Sequence, residues 1–252
     1  MADRFKDHFS EASDKYGRYR PNYPARLFSW LASIAPHRSL AWDCATGNGQ
    51  AAILLSEHFD RIVATDASRS QIGNATTREN ISYRIALAEN SGLAPDSVDL
   101  IAVAQAFHWL DREAFSREVD GVLKENGVLA IWTYNLLSVS PDVDSIIQHL
   151  YSRTLGKYWA FERTMVENGY ADVWLPFEKI STPEFHMSMK WSLPQLIGYL
   201  GTWSATRKYQ QETGTDPVQA IREELGKAWG HTDGTLPIRW PLSVRAWRKT
   251  AH

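Results

Sequence analysis

Asp43-Cys-Ala-Thr-Gly-Asn-Gly-Gln50, followed by an isolated Asp66 closing the next apolar run, is the stretch that decides the fold. It predicts a strand, a tight glycine turn, a helix start and a second strand that ends in a carboxylate. Gly47 and Gly49 let the backbone approach a ligand closely, and a carboxylate about 20 residues on can accept bonds from both ribose hydroxyls. A nucleoside cofactor is therefore expected. By itself the run from Gly47 to Ala52 also fits the G-x-G-x-x-A turn of dinucleotide enzymes, which leaves an NAD(P)-dependent oxidoreductase as a rival. Asp43 shifts the balance. A carboxylate at the end of the first strand suits the ammonium of an amino acid and would repel a pyrophosphate.

Working outward, Leu27, Trp30, Leu31 and Ile34 fall at helical spacing behind Pro24. Strands are expected at Leu40 to Trp42, Arg61 to Asp66, Ile81 to Ile85, Val98 to Ala106 and Val128 to Thr133. Helices are expected at Ala51 to His58, after a Ser68 cap, and from Asp111 to Lys124, the last stopped by a left-handed glycine at Gly127. Strands alternating with helices at this pitch predict a doubly wound parallel α/β sheet. Beyond Asn135 the pattern changes. Pro141 to Tyr170 reads as helical, and Phe185, Met187, Met189 and Trp191 alternate as a strand. Leu236 to Ala246 alternate likewise, with Pro237 and Pro241 on the opposite phase, which predicts an edge or a bulge. The expected organisation is a cofactor-binding core over 1–135 with an N-terminal cap, a covering insertion over 136–234 and a closing strand within 235–252, all in one integrated domain.

The totals exclude some classes. The chain has 252 residues, enough for one large core, and a formal charge of −2 without a basic block, so neither nucleic acid nor a membrane surface is indicated as partner. Cys44 is the only cysteine, which rules out an internal disulfide and fits a reducing compartment. With a polar N-terminus lacking a secretory pattern and no apolar run of membrane length, a cytoplasmic protein is expected. The histidines lack metal-site spacing, so no metal is expected.

These residues resemble the class I S-adenosylmethionine-dependent methyltransferases, in particular the methyltransferase type 11 branch. The family run of an acidic residue and three glycines at alternate positions reads here as Asp43, Ala45, Gly47 and Gly49, with Ala45 tolerable if its φ stays negative. Leu87-Ala88-Glu89 is similar to the family's adenine segment, although relatives often carry an aspartate where Leu87 stands. Ala104 to Asp111, with Gln105, His108 and Trp109, resembles the alanine-histidine-tryptophan motif of trans-aconitate methyltransferase-like members. Lys124-Glu-Asn-Gly127 is similar to the family's lysine-proline-glycine-glycine turn, and Tyr16 to Pro24 to its N-terminal tyrosine, arginine and proline pattern.

The resemblance implies a Rossmann-like seven-stranded sheet, mostly parallel with an antiparallel C-terminal strand, plus a helical lid insertion. It implies S-adenosyl-L-methionine as cofactor, S-adenosyl-L-homocysteine as product and a small-molecule methyl acceptor, in a monomer or homodimer. Asp43, Ala45, Gly47, Gly49, Asp66, Ala88, Glu89 and Gln105 would hold the cofactor, joined by Tyr16 and Arg20. His108 would orient the substrate if a carboxylate is methylated, or act as base for a hydroxyl, phenol or amine. Trp109, Tyr199, Trp203 and Arg207 are the candidate substrate contacts. A non-catalytic adapter that keeps the fold is the remaining alternative.

Overall fold

The computed structural model describes residues 21–230 and 234–250. Its centre is a sheet whose first five strands are β1 (Leu40–Cys44), β2 (Arg61–Asp66), β3 (Ile81–Ile85), β4 (Val98–Ala104) and β5 (Leu123–Tyr134). They pair in parallel in the order β3-β2-β1-β4-β5. That order reverses between β1 and β4, which creates the crevice where doubly wound folds bind ligands. Among the described residues this half carries the helices α1 (Ala25–Ile34), α2 (Gln50–Leu55), α3 (Arg69–Gly73) and α4 (Arg112–Val122). Ser68 caps α3, as its position predicts, by accepting from the Gln71 amide.

Burial on both faces explains the apolar strands. Ala41, Leu100, Ala102, Val128, Ala130 and Trp132 enter one core with Leu27, Phe28 and Leu31 of α1. Their strand neighbours Leu40, Trp42, Ile101, Val103, Leu129 and Ile131 enter a second core with Phe115 and Val119 of α4. Period-two alternation thus divides each strand between two apolar layers.

The other end of the sheet is built by β6 (Glu178–Ile180), β7 (Phe185–Ser192) and β8 (Thr235–Arg248). β8 runs antiparallel to β5 from Leu242 to Arg248, while β6 and β7 succeed one another along its opposite edge. Eight strands consequently fill the seven positions of the expected sheet. The prolines of β8 now have a reason. Arg239 exchanges backbone bonds with Ser138 on the β5 side, so Pro237 and Pro241, on the same phase, direct their missing N–H to the side where β5 has already ended.

The α4–β5 junction differs from the expected glycine stop. The helix ends at Val122 and the chain enters β5 at once; the left-handed residue is Asn126, with φ 62°. Gly127 is needed for space, because a Cβ there would lie 2.7 Å from Leu123 Cγ and 2.8 Å from the Lys124 carbonyl oxygen.

Helices α5 (Pro141–His149), α6 (Arg163–Glu167), α7 (Leu193–Gly201), α8 (Ser204–Thr213), α9 (Pro217–Ala220) and α10 (Arg222–Trp229) make up the insertion. α5 continues into a π-helical turn at Leu150–Thr154. Val143, Leu150, Leu196, Leu200 and Trp229 bury in the same core as α1, so this half shares apolar packing with the sheet. No helix among the described residues is long and apolar enough to cross a membrane.

Candidate active site

The carboxyl ends of β1, β2 and β4 gather most of the predicted cofactor residues. Asp43 is completely buried, and its Oδ2 accepts from the Thr46 hydroxyl at 2.5 Å. Among the described residues its Oδ1 has no hydrogen-bond partner. Burial pushes this carboxyl up to about 7; the Thr46 hydroxyl and Ala52 amide oppose the rise, and the nearby Asp66 charge adds to it. A buried carboxylate with an orphaned oxygen is costly and calls for a donor, for which an ammonium is the matching chemistry. The neighbouring Cys44 is inert, its thiol pushed well above its ordinary value by burial and next by the Asp43 charge.

Asp66 fastens the glycine turn. Its Oδ2 accepts from the Gly47 amide and its Oδ1 from the Ser68 amide, both at 2.8 Å. Carboxylate oxygens each accept more than one bond, so this anchoring leaves room for ribose hydroxyls. Gly49 caps α2 at φ 87°, and a Cβ there would sit 2.2 Å from the Tyr83 hydroxyl oxygen, which donates to the Thr76 carbonyl.

Ala45 departs from the expectation of negative φ: it lies at +54°. A left-handed alanine carries about 1–2 kcal/mol of strain that glycine would not. Ala45→Gly is accordingly expected to raise stability by about 0.5–1 kcal/mol after glycine's larger unfolded-state entropy is counted, measured as a higher urea midpoint at unchanged slope.

Ala88 is buried just past β3, whereas Leu87 is half exposed. The Glu89 carboxylate accepts from the Asp111 amide at 2.9 Å, which ties the Ala88–Glu89 segment to the start of α4. Gln105, beyond β4, is held at φ 57°. Its side-chain amide donates to the Tyr134 carbonyl and its oxygen accepts from the Thr133 hydroxyl, so the side chain locks the ends of β4 and β5 together.

His108 and Trp109 sit on a 3₁₀ turn, Phe107–Trp109. Nδ1 of His108 lies 2.9 Å from the Tyr170 hydroxyl. Burial first, and the Arg163 charge second, pull this imidazole down to about 3, so it is neutral at physiological pH and a weak base. Tyr170 reaches it from the insertion, where Gly169 and Tyr170 both adopt positive φ. Trp109, 38% exposed, stacks obliquely beside His108 with ring centres 4.8 Å apart.

The substrate candidates of the insertion are divided. Tyr199 and Trp203 are buried in one aromatic cluster with Trp191, Trp240, Tyr151 and Trp159, where Tyr199 accepts from the Trp240 indole. Their first role is packing. Arg207 is half buried on α8. Tyr16 and Arg20 lie outside the described residues. Spacing in the sequence gave no hint of Arg163, Tyr151 or Tyr170, which reach this region from the insertion. Among the described residues no group of His, Cys, Asp and Glu is suited to a metal ion.

A doubly wound sheet with a glycine turn, a carboxylate ending β2 and an unsatisfied carboxylate one residue before the end of β1 defines an α/β protein with its charged groups gathered at the crevice between β1 and β4. Residues 42–131 match the methyltransferase domain family. Over 246 residues the chain is 35% identical to a protein of Dictyostelium discoideum that bears the name of a methyltransferase, covering 95% of this chain and 94% of that one. A solved structure from Anaeromyxobacter dehalogenans, described as a type II methyltransferase, superposes with a TM-score of 0.88 at 40% identity, over 93% of this chain and 100% of that one. A Bacillus halodurans structure with TM-score 0.51 and 17% identity, covering 89% of this chain and 99% of its own, shares the fold alone. The chain belongs to the class I S-adenosylmethionine-dependent methyltransferases, in the branch with the type 11 domain. The narrower likeness to trans-aconitate methyltransferases remains a resemblance of the alanine-histidine-tryptophan segment.

Proposed function

We propose that this protein binds S-adenosyl-L-methionine at the carboxyl ends of β1, β2 and β4 and transfers its methyl group to a small molecule through a carboxylate or hydroxyl oxygen. The observation that carries the reading is the buried Asp43 carboxylate with its unpartnered oxygen, beside a glycine turn fastened by Asp66. A dinucleotide enzyme has no use for that buried charge, which would repel a pyrophosphate.

In this reading Asp43 and the Gln105 carbonyl receive the ammonium, the turn from Ala45 to Gly49 lies against the amino-acid portion and Asp66 receives the ribose hydroxyls. The Ala88 amide and Glu89 border the adenine. The cofactor supplies an electrophilic methyl on a sulfonium, which needs neither a metal nor a covalent enzyme intermediate. The residues contribute alignment and exclusion of water, the largest aids available to an in-line displacement. Neutral His108, held by Tyr170, offers Nε2 as a fixed hydrogen-bonding point for the acceptor, and Trp109 offers a ring face that attracts a cation. A carboxylate acceptor is already ionised and loses no proton in the step.

Calorimetric titration with S-adenosylmethionine and S-adenosylhomocysteine tests the reading. Binding of both near one per chain is expected; no heat from either at millimolar concentration would end it.

A further inference from the structure

The charged group most firmly built into the insertion is Arg163, at the start of α6. Its guanidinium carbon stands 4.8 Å from the Trp159 ring centre and 5.5 Å from that of Tyr151. Nε donates to the Tyr151 hydroxyl and Nη2 to Asn135 Oδ1, each at 2.9 Å. Both acceptors are neutral. Among the described residues no carboxylate lies within ion-pair distance of this arginine, and Nη1 carries no bond. The guanidinium is thus fixed by stacking and two hydrogen bonds, and no carboxylate among the described residues pairs with it directly.

A cavity of about 380 Å³ opens onto it, lined by Tyr151, Trp159, Phe161, Arg163 and Glu167 among others. Phe161 is 89% exposed at its mouth. The place matters as much as the chemistry. Asn135 directly follows β5 at the carboxyl end of the sheet, α6 packs on the turn carrying His108, and the Arg163 charge reaches that imidazole. The anchor and the candidate methyl-transfer site therefore share one end of the molecule.

An immobilised guanidinium with a free edge is the group best matched to a carboxylate. Glu167 stands on the same rim, where it accepts from the Tyr151 hydroxyl at 2.5 Å, so a cationic ligand is the competing possibility that a test must separate. We infer that Arg163, held in place by Tyr151, Trp159 and Asn135, anchors the methyl acceptor through a carboxylate of that acceptor. The inference rests on the methyltransferase reading for the word acceptor; the anion site itself does not.

Benzoate, neutral benzamide and cationic benzylamine are the probes, titrated into the full chain with S-adenosylhomocysteine present and followed by calorimetry and tryptophan fluorescence. Benzoate is expected to bind at least about tenfold more tightly than either analogue. Arg163→Met should abolish that preference, Arg163→Lys should keep part of it, and Arg222→Met, an exposed arginine on α10 away from the cavity, should leave it unchanged. Equal binding of benzoate and benzamide, preference for benzylamine, or an unaltered preference in Arg163→Met overturns the proposal. If Arg163→Met fails to fold, the wild-type comparison of the three probes and the lysine variant decide. Heat from S-adenosylhomocysteine alone is recorded separately. Its presence without benzoate preference overturns the anchor and leaves the methyltransferase reading standing; benzoate preference without it does the reverse.

Discussion

In Asp43→Asn protein, S-adenosylhomocysteine is expected to bind about 30-fold or more weakly than in wild type, while the ligand-free protein melts about 3–6 °C higher at pH 8. Both effects come from one buried charge. The Asp43 carboxyl titrates near 7 in the folded chain against 3.8 for an unperturbed aspartate. Between those values the unfolded chain has lost this proton and the native chain keeps it. Linkage then makes the contribution of Asp43 to stability full below about pH 4, diminishing as pH rises towards 7, and constant at its lower level above that. Asparagine removes the slope and with it the burden of a desolvated anion. Binding runs the other way: the ammonium of the ligand needs the ionised form, so wild-type affinity should climb between pH 5.5 and 8. Calorimetry at those two values checks it. Affinity independent of pH, or an asparagine variant that binds like wild type, would remove Asp43 from the ammonium site.

Asp99→Ala is expected to cost about 3–5 kcal/mol, enough to unfold much of the protein near body temperature. Asp99 is fully buried at the amino end of β4, opposite the candidate site. Its Oδ2 accepts from the Ser39 and Leu40 amides at 2.9 Å each, and its Oδ1 pairs with Lys124 Nζ at 2.7 Å. Truncation leaves the buried Leu40 amide and the part-buried Ser39 amide without their acceptor and takes the partner from the partly exposed Lys124 ammonium. Urea unfolding of Asp99→Ala, with Asp99→Asn retaining part of the loss, checks the value. A change below about 1 kcal/mol would mean that water replaces the carboxylate without penalty.

Elements with strong periodicity were legible in the sequence. β2 and β3 lie where their apolar runs predict, and the alternation from Leu236 to Ala246 gives β8. Boundaries set by sterics were less so. Gly127 looks like a helix stop because glycine favours that place, yet it serves the close approach of Leu123, and the left-handed turn falls to Asn126. β6, with its three residues, offers no pattern to read. In the site, Asp43 and Asp66 were legible because each ends an apolar strand. Arg163, Tyr151 and Tyr170 were not: they meet β5 and His108 through the packing of irregular helices, which leaves no fixed spacing. The many aromatic residues after Asn135 show a composition whose partition between packing and contact only the contacts decide; Tyr199 and Trp203 are buried in one aromatic cluster.

The placement of β8 has a kinetic consequence. Every strand it pairs with precedes it in the chain, and its partner β5 lies more than a hundred residues upstream. During synthesis the apolar edge of β5, from Val128 to Tyr134, therefore waits uncovered while the whole insertion is made, so the last ladder closes late and slowly. A nascent chain halted within the insertion should engage holding chaperones through that edge, and the release of β8 should end the engagement.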